Sequence, residues 1–167
     1  KSVTITNPDG QTATGTGILT VACPTVTVTP ATIPAAATGI AYSQSTDGGL
    51  IWSTPVQLNQ APAVQAFVPT VHIRDDGTIG VTYFDLRNNT TAPTLLADYW
   101  LVQSSDGVAW TETHVAGPID YATAPDARGL FLGDYMGLTS IGTTFVPVYG
   151  LTNFGNLADR TDIFATL

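Results

Sequence analysis

The chain has 167 residues, of which 44% are hydrophobic and 11% are charged, and its formal net charge is −8. This length suits one domain or two small ones, and the hydrophobic share is too high for a disordered chain. Lys1 is the only lysine and the four arginines are scattered, so no basic patch is present to bind nucleic acid or an anionic membrane. No apolar run approaches the roughly 18 residues needed to span a bilayer.

Residue usage predicts an all-β protein, because threonine is abundant, glycine and proline recur throughout, and strong helix formers are sparse. Cys23 is the only cysteine, so an internal disulfide is excluded. Its side chain is either a small buried group or one half of an intermolecular bridge. The low lysine and high threonine content favours an extracellular or cell-surface protein of bacterial type. The chain begins at Lys1 without a signal peptide, as a mature form, a processed piece or a fragment would.

The N-terminal part predicts a β-hairpin. Residues 2–6 and 12–21 alternate between apolar and polar side chains, and the sequence N-P-D-G at 7–10 is typical of a turn. Asp9 is interpreted as part of that turn rather than as a metal ligand. An isolated hairpin is marginally stable in water, so we expect it to pair with another element.

Residues 23–44 predict edge strands or a linker, because prolines at 24, 30 and 34 remove backbone donors. The segment T-I-T-N-P-D-G-Q-T-A-T-G-T-G-I-L-T-V resembles the closing strands of a TIG-type immunoglobulin-like domain. The segment that follows resembles the opening of the putative-Ig repeats of bacterial surface proteins. These resemblances imply Ig-like strands and a linker over residues 1–44.

Two segments share a turn motif, S-T-D-G-G-L-I-W at 45–52 and S-S-D-G-V-A-W at 104–110. The aspartate can accept hydrogen bonds from the N–H groups of its own turn, and glycine supplies the positive φ that a tight turn needs. The tryptophan begins the return strand as an apolar anchor. The motif residues are Ser45, Asp47, Gly49 and Trp52 in the first segment, and Ser104, Asp106 and Trp110 in the second.

Both segments resemble the Asp-box, S-x-D-x-G-x-T-W, of sialidases and other β-propeller proteins, also called the bacterial neuraminidase repeat. The second copy is one residue shorter between Asp106 and Trp110 and is the looser match. Two copies about one blade apart are a better signal than either alone. A second interpretation stays open for 45–52, because an Ig-like repeat would also place a Gly-rich turn and an aromatic residue there.

The remaining chain predicts two runs of antiparallel strands. The first run has strands at 68–74, 79–85, 97–104 and 109–116, and the second has strands at 135–141, 145–150 and 161–167. The segment F-V-P-T-V-H-I-R-D-D-G-T-I-G-V-T-Y-F-D-L-R-N resembles the C-terminal part of secreted sialidase-like propellers. This resemblance covers residues 45–167 and implies propeller blades.

The strand count is too small for a closed propeller, which has about six blades in sialidases. We therefore expect an incomplete propeller that is a fragment, that associates with other chains, or whose strands fold into a sandwich with the N-terminal hairpin. Open sheet edges would invite strand addition by a neighbour.

The resemblance to sialidases implies an arginine cluster, a tyrosine nucleophile activated by a glutamate, and an aspartic acid. Glu112 is the only glutamate, and its predicted place on an outer strand argues against an intact sialidase site. Tyr135 and the adjacent Asp134 are weak catalytic candidates on a predicted inner strand.

The candidates for glycan binding are Asp85, Arg87 and Arg128. Asp85 and Arg87 lie at a strand end, where they form either a salt bridge within the sheet or a polar rim for a sugar hydroxyl or carboxylate. His72 and His114 each stand alone in a strand, so no metal site is predicted, and no cofactor motif occurs.

The sequence favours an extracellular, glycan-directed module of a sialidase-like protein that is not catalytically complete. A first alternative is a structural or adhesive bacterial surface protein that self-associates through open sheet edges, with filaments as one form of assembly. A second alternative is an active exo-glycosidase of sialidase type.

Overall fold

The computed structural model describes residues 2–6, 12–16, 39–133, 136–153 and 155–167, the first two ranges as backbone alone. In these ranges the chain is all-β with antiparallel sheets, which confirms the predicted class. Asp9 and Cys23 lie outside the described residues. The contacts divide the chain into two units: residues 1–31 with 45–52, and residues 32–44 with 53–167.

The described strands are β1 Ser2–Thr6, β2 Thr12–Thr16, β3 Ala41–Tyr42, β4 Val56–Gln57, β5 Ala66–Ile73, β6 Ile79–Asp85, β7 Leu96–Ser104, β8 Thr111–Asp120, β9 Gly137–Ile141, β10 Thr144–Thr152 and β11 Thr161–Ala165. A single 3-10 turn, Tyr121–Thr123, follows β8. None of the described residues forms a helix that is long and apolar enough to cross a bilayer.

In the first unit, β1 and β2 pair antiparallel, from Ser2 opposite Thr16 to Thr6 opposite Thr12. The strands of the predicted N-terminal hairpin are therefore present, and its turn lies outside the described residues.

The second unit is built on a four-stranded sheet in the order β5-β6-β7-β8, with each strand antiparallel to the next. Every residue of β6 is buried, because neighbouring strands flank it and both of its faces are covered. Successive side chains of a strand point to opposite faces. Val81, Tyr83 and Asp85 thus lie on what we call the first face, and Thr82 and Phe84 lie on the second face.

The first face carries an apolar core at one end. Ile40 and Leu58, beside the short β3–β4 pair, pack there with Ile79, Val81 and Val102. Tyr83 continues this core toward the other end of β6, where the side chains become polar.

The second face packs against the three-stranded sheet β9-β10-β11. The Tyr99 and Tyr149 rings meet with centroids 4.6 Å apart. The Phe145 ring covers Gly80 so closely that a Cβ on Gly80 would lie 2.5 Å from a ring carbon. Within the described chain, these sheets do not close into a barrel or a ring.

Candidate functional site

Arg87 lies just beyond β6 and joins two carboxylates on the first face. Its Nε lies 2.8 Å from Asp85 Oδ2, and its Nη1 and Nη2 lie 2.5 and 2.9 Å from the two carboxylate oxygens of Glu112. The Tyr83 hydroxyl donates a hydrogen bond to the same Glu112 carboxylate. We call these four residues, Tyr83, Asp85, Arg87 and Glu112, the Arg87 cluster.

Strand register assembles the Arg87 cluster. Val102 of β7 lies opposite Val81 on one side and Glu112 on the other, so Glu112 shares the first face with Tyr83 and Asp85. Glu112 lies on β8, an outer strand of its sheet, as the sequence predicted. The pairing of Glu112 with Arg87 was not predicted. Alternation places Tyr83 and Asp85 on one face of β6, but the register that brings Glu112 to that face is not encoded locally.

Burial and hydrogen bonding fix the ionisation of the cluster. Burial acts to raise the pKa of Glu112, but the hydrogen bonds from Arg87 and Tyr83 outweigh it and leave the pKa below its ordinary value. Burial and the bond to Glu112 together raise the pKa of Tyr83. Burial acts to lower the pKa of Arg87, but its two carboxylate partners leave it raised. The Glu112 carboxylate is therefore paired with the Arg87 guanidinium, and the Tyr83 phenol is neutral.

Trp100 extends the cluster toward the surface. Its indole nitrogen donates to Asp85 Oδ1 at 3.1 Å, and the Arg87 guanidinium lies 3.8 Å from the ring centroid. This separation is within the range of a cation–π contact. The His114 ring meets Trp100 edge-on, with centroids 4.8 Å apart.

Asp98 orients two exposed side chains beside Trp100. His114 Nε2 lies 2.8 Å from Asp98 Oδ1, and Asn88 Nδ2 donates to Asp98 Oδ2 at 2.8 Å. Asp98 is buried, whereas the His114 side chain is 43% exposed. We call Asn88, Asp98 and His114 the Asp98 group. His114 was predicted to stand alone in its strand, and its partner Asp98 comes from the neighbouring strand β7.

The other predicted site residues lie elsewhere. Arg128 is exposed in the loop after β8, with a φ of 69°, and no hydrogen bond or ion pair joins it to another residue of the described chain. Asp134 and Tyr135 lie outside the described residues. Hydrogen bonds thus connect two of the three predicted glycan-binding residues, Asp85 and Arg87, and Arg128 lies in a separate loop.

The turn at 45–52 is organised by Asp47, as its sequence predicted. Asp47 Oδ1 accepts hydrogen bonds from the N–H groups of Leu50 and Ile51 at 3.0 and 2.9 Å. The hydroxyl of Ser45 donates to the same oxygen and accepts from the Gly49 N–H. These bonds, led by the one from Ile51, lower the pKa of Asp47.

The turn at 104–110 repeats this network around Asp106. Its Oδ1 accepts from the N–H groups of Val108 and Ala109 at 2.8 and 2.9 Å, and the Ser104 hydroxyl accepts from the Gly107 N–H at 2.9 Å. The serine therefore bonds a glycine three residues ahead here and four residues ahead in the first turn. This difference matches the extra residue in the first segment.

The two tryptophans of these turns differ. Trp110 packs beside the apolar core of the first face, with its ring centroid 5.0 Å from that of Tyr42. Trp52 is 60% exposed. The expectation that Trp52 is an apolar anchor is wrong, since its indole nitrogen instead bonds the Gly49 carbonyl within its own turn.

The remaining histidine, His72 on β5, faces Ser140 of β9 at 3.0 Å and serves the contact between the two sheets. Where the structure describes the chain, no three His, Cys, Asp or Glu side chains are grouped to hold a metal ion. Comparisons with models of protein families, with curated proteins and with solved structures found no match for this chain.

Proposed function

We propose that this chain is an extracellular, glycan-directed module of a sialidase-like protein, and that it is not catalytically complete. The observation that carries the proposal is the polar surface at one end of the first face, where the Arg87 cluster and Trp100 adjoin the Asp98 group. It combines aromatic, imidazole and amide side chains that are held in place by buried carboxylates. A few polar groups of fixed orientation beside an aromatic ring suit the recognition of sugar hydroxyls.

Two features of the fold support a sialidase-like origin. Both Asp-centred turns have the same hydrogen-bond network, and the second lies between the third and fourth strands of a four-stranded meander. That meander packs face to face on the next antiparallel sheet along the chain, as consecutive propeller blades do.

The ionisable groups of the Arg87 cluster support a binding role rather than catalysis. Tyr83 is fully buried, and its hydroxyl already donates to Glu112. Both Glu112 oxygens are bonded to Arg87, so neither the phenol nor the carboxylate is free to attack a sugar or to transfer a proton.

The proposal is tested by a glycan panel that contains neutral and sialylated oligosaccharides. We expect saturable binding that falls at least tenfold in the variants Asn88→Ala and His114→Ala, because both residues present exposed polar atoms. The matched control, Arg128→Ala, changes an exposed side chain that has no bonded partner among the described residues, and it is expected to bind as the parent does. Flat signals across the whole panel would overturn the proposal.

A second candidate is a structural or adhesive surface protein that self-associates. The observation that favours it is three exposed apolar residues on the outer face of the three-stranded sheet: Ile141, which is 66% exposed opposite Thr144, Ile163, which is 74% exposed opposite Gly150, and Val148 on β10. In the described part of the chain, β11 also has an open edge. Light scattering over a concentration series tests it: assembly that Ile163→Lys abolishes would support it, and a strictly monomeric parent would exclude it.

A further inference from the structure

We infer that the sugar bound at this surface is uncharged, and that the site discriminates against sugars that bear a carboxylate. The inference rests on the proposed function and names its ligand class. It follows from three observations: the charge of the site, the full use of Arg87, and the hydrogen-bonding character of the exposed atoms.

The charge of the site is negative. Asp85 and Glu112 bond Arg87, and Asp98 lies opposite Asp85 on the neighbouring strand, so three carboxylates lie near one permanent cation. The whole chain carries a formal charge of −8, so distant residues do not reverse this balance. An anionic sugar would approach against a repulsive potential.

The guanidinium of Arg87 is already occupied. Nε faces Asp85, and Nη1 and Nη2 face the two oxygens of Glu112, so both edges of the fork hold a protein carboxylate. One flat side of the guanidinium lies on Trp100. Bidentate capture of a ligand carboxylate needs a free edge of the fork. Arg87 can offer one only by giving up a buried carboxylate partner.

The exposed ends of the Asp98 group accept hydrogen bonds. A carboxylate at Asp98 accepts from His114 Nε2–H, and in the neutral imidazole this leaves Nδ1 as an acceptor. Asn88 uses one amide N–H on Asp98 and keeps its other N–H and its carbonyl oxygen. These acceptors fit a ligand that donates, as sugar hydroxyls do, and a ligand carboxylate has no proton to give them.

The test compares two probes that differ in one unit: a galactose-terminated oligosaccharide and the same oligosaccharide capped with sialic acid. Calorimetric titration of the full chain is expected to show at least tenfold tighter binding of the uncapped probe. In His114→Lys, an ammonium group replaces the acceptor beside Asp98, and we expect the ratio between the two probes to fall. Circular dichroism checks that the variant is folded, and Arg128→Ala is the control with an unchanged ratio.

The outcomes distinguish a failure of the inferred sugar class from a failure of the proposed glycan-binding function. Equal or tighter binding of the sialylated probe would overturn the inference and leave the proposed function standing. Binding of neither probe, nor of any member of the panel, would remove the proposed function and the inference with it. An unchanged ratio in a folded His114→Lys variant would contradict the role assigned to the exposed acceptors.

Discussion

Arg87 is the residue on which the polar end of the first face depends. It forms ion pairs with Asp85, which is fully buried, and with Glu112, whose side chain is 5% exposed, while its own side chain is 18% exposed. Buried carboxylates are tolerated only when they are paired and hydrogen-bonded. The exposed Asp98 group lies beside these ion pairs. Both the stability of the fold and the geometry of the proposed binding surface therefore depend on Arg87.

Replacing Arg87 with methionine should destabilise the fold strongly. Arg87→Met keeps much of the side-chain volume but leaves two buried carboxylates without a cation, a situation that costs about 3–5 kcal/mol. Urea unfolding followed by tryptophan fluorescence measures the change in the free energy of unfolding. Arg128→Met is the matched control and should change it little, and equal losses in the two variants would contradict the assigned role of Arg87.

Acid should weaken the fold through four carboxylates. Hydrogen bonds lower the pKa of Asp47, Asp76, Asp106 and Glu112 in the folded chain. A group whose pKa is lower in the folded state stabilises the fold above its unfolded pKa, here about 3.9 to 4.3, and loses that contribution as the pH falls through the folded pKa. We therefore expect the free energy of unfolding to be level near neutral pH and to decline below about pH 4.

Urea titrations at a series of pH values from 7 to 3 would measure this decline. The double variant Asp47→Asn with Asp106→Asn removes two of the four titrating groups and should show a shallower pH dependence than the parent. A decline of the same steepness in both proteins would locate the acid sensitivity elsewhere in the chain.

At the scale of elements, the two sheets of the second unit meet through matched small and large residues. Gly80 of β6 leaves the space that the Phe145 ring of β10 fills. Arg74 lies over the other part of the same ring, 5.1 Å from its centroid. Gly80 therefore has a packing role, since its backbone lies in the middle of a strand where glycine is otherwise unfavourable.

Gly80→Ala should destabilise the fold by about 1–3 kcal/mol, as overpacking of a filled core does. The added Cβ would lie 2.5 Å from a ring carbon, so the sheets must move apart or Phe145 must leave its rotamer. Thermal and urea unfolding measure the loss. The second variant, Gly80→Ala with Phe145→Leu, removes the opposing ring atoms and should lose less than the two single changes added together.

Local signals in the sequence predicted the strands and both Asp-centred turns, because alternation and turn chemistry act over a few residues. The predicted strand at 79–85 has the same bounds as β6, the other predicted strands differ mainly at their ends, and the short β4 was not predicted. The register between strands was harder to predict from the sequence. Alternation tells which residues share a face of one strand, but it does not tell that Glu112 and Tyr83 meet across β7, or that His114 meets Asp98.

The sequence also did not predict whether an individual tryptophan side chain is buried or exposed. Trp52 and Trp110 occupy equivalent places in similar motifs, yet only Trp110 is covered, because the core beside it includes Tyr42. The residues of segment 45–52 do not tell whether an aromatic side chain from another element covers Trp52. Sequence patterns identify side chains that can be buried, and the packing of distant elements determines which of them are.

At the scale of the whole molecule, the four arginines differ in their hydrogen-bond and ion-pair partners. Arg74 bonds Asp76 and the Thr143 carbonyl, Arg87 lies in its cluster, and Arg160 donates to the Thr123 carbonyl. Arg128 alone of the four is exposed in a loop without a bonded partner in the described chain.

Trypsin cleaves after lysine and arginine and requires a segment that can adopt an extended form in its cleft. Of the four arginine positions, the bond after Arg128 meets this need best, because exposed loop tips are preferred sites of nicking. The two resulting pieces would carry the four-stranded and the three-stranded sheet, which Phe145 and Tyr149 hold together. Nicked protein should therefore elute as one species on gel filtration and separate into two fragments only in denaturant.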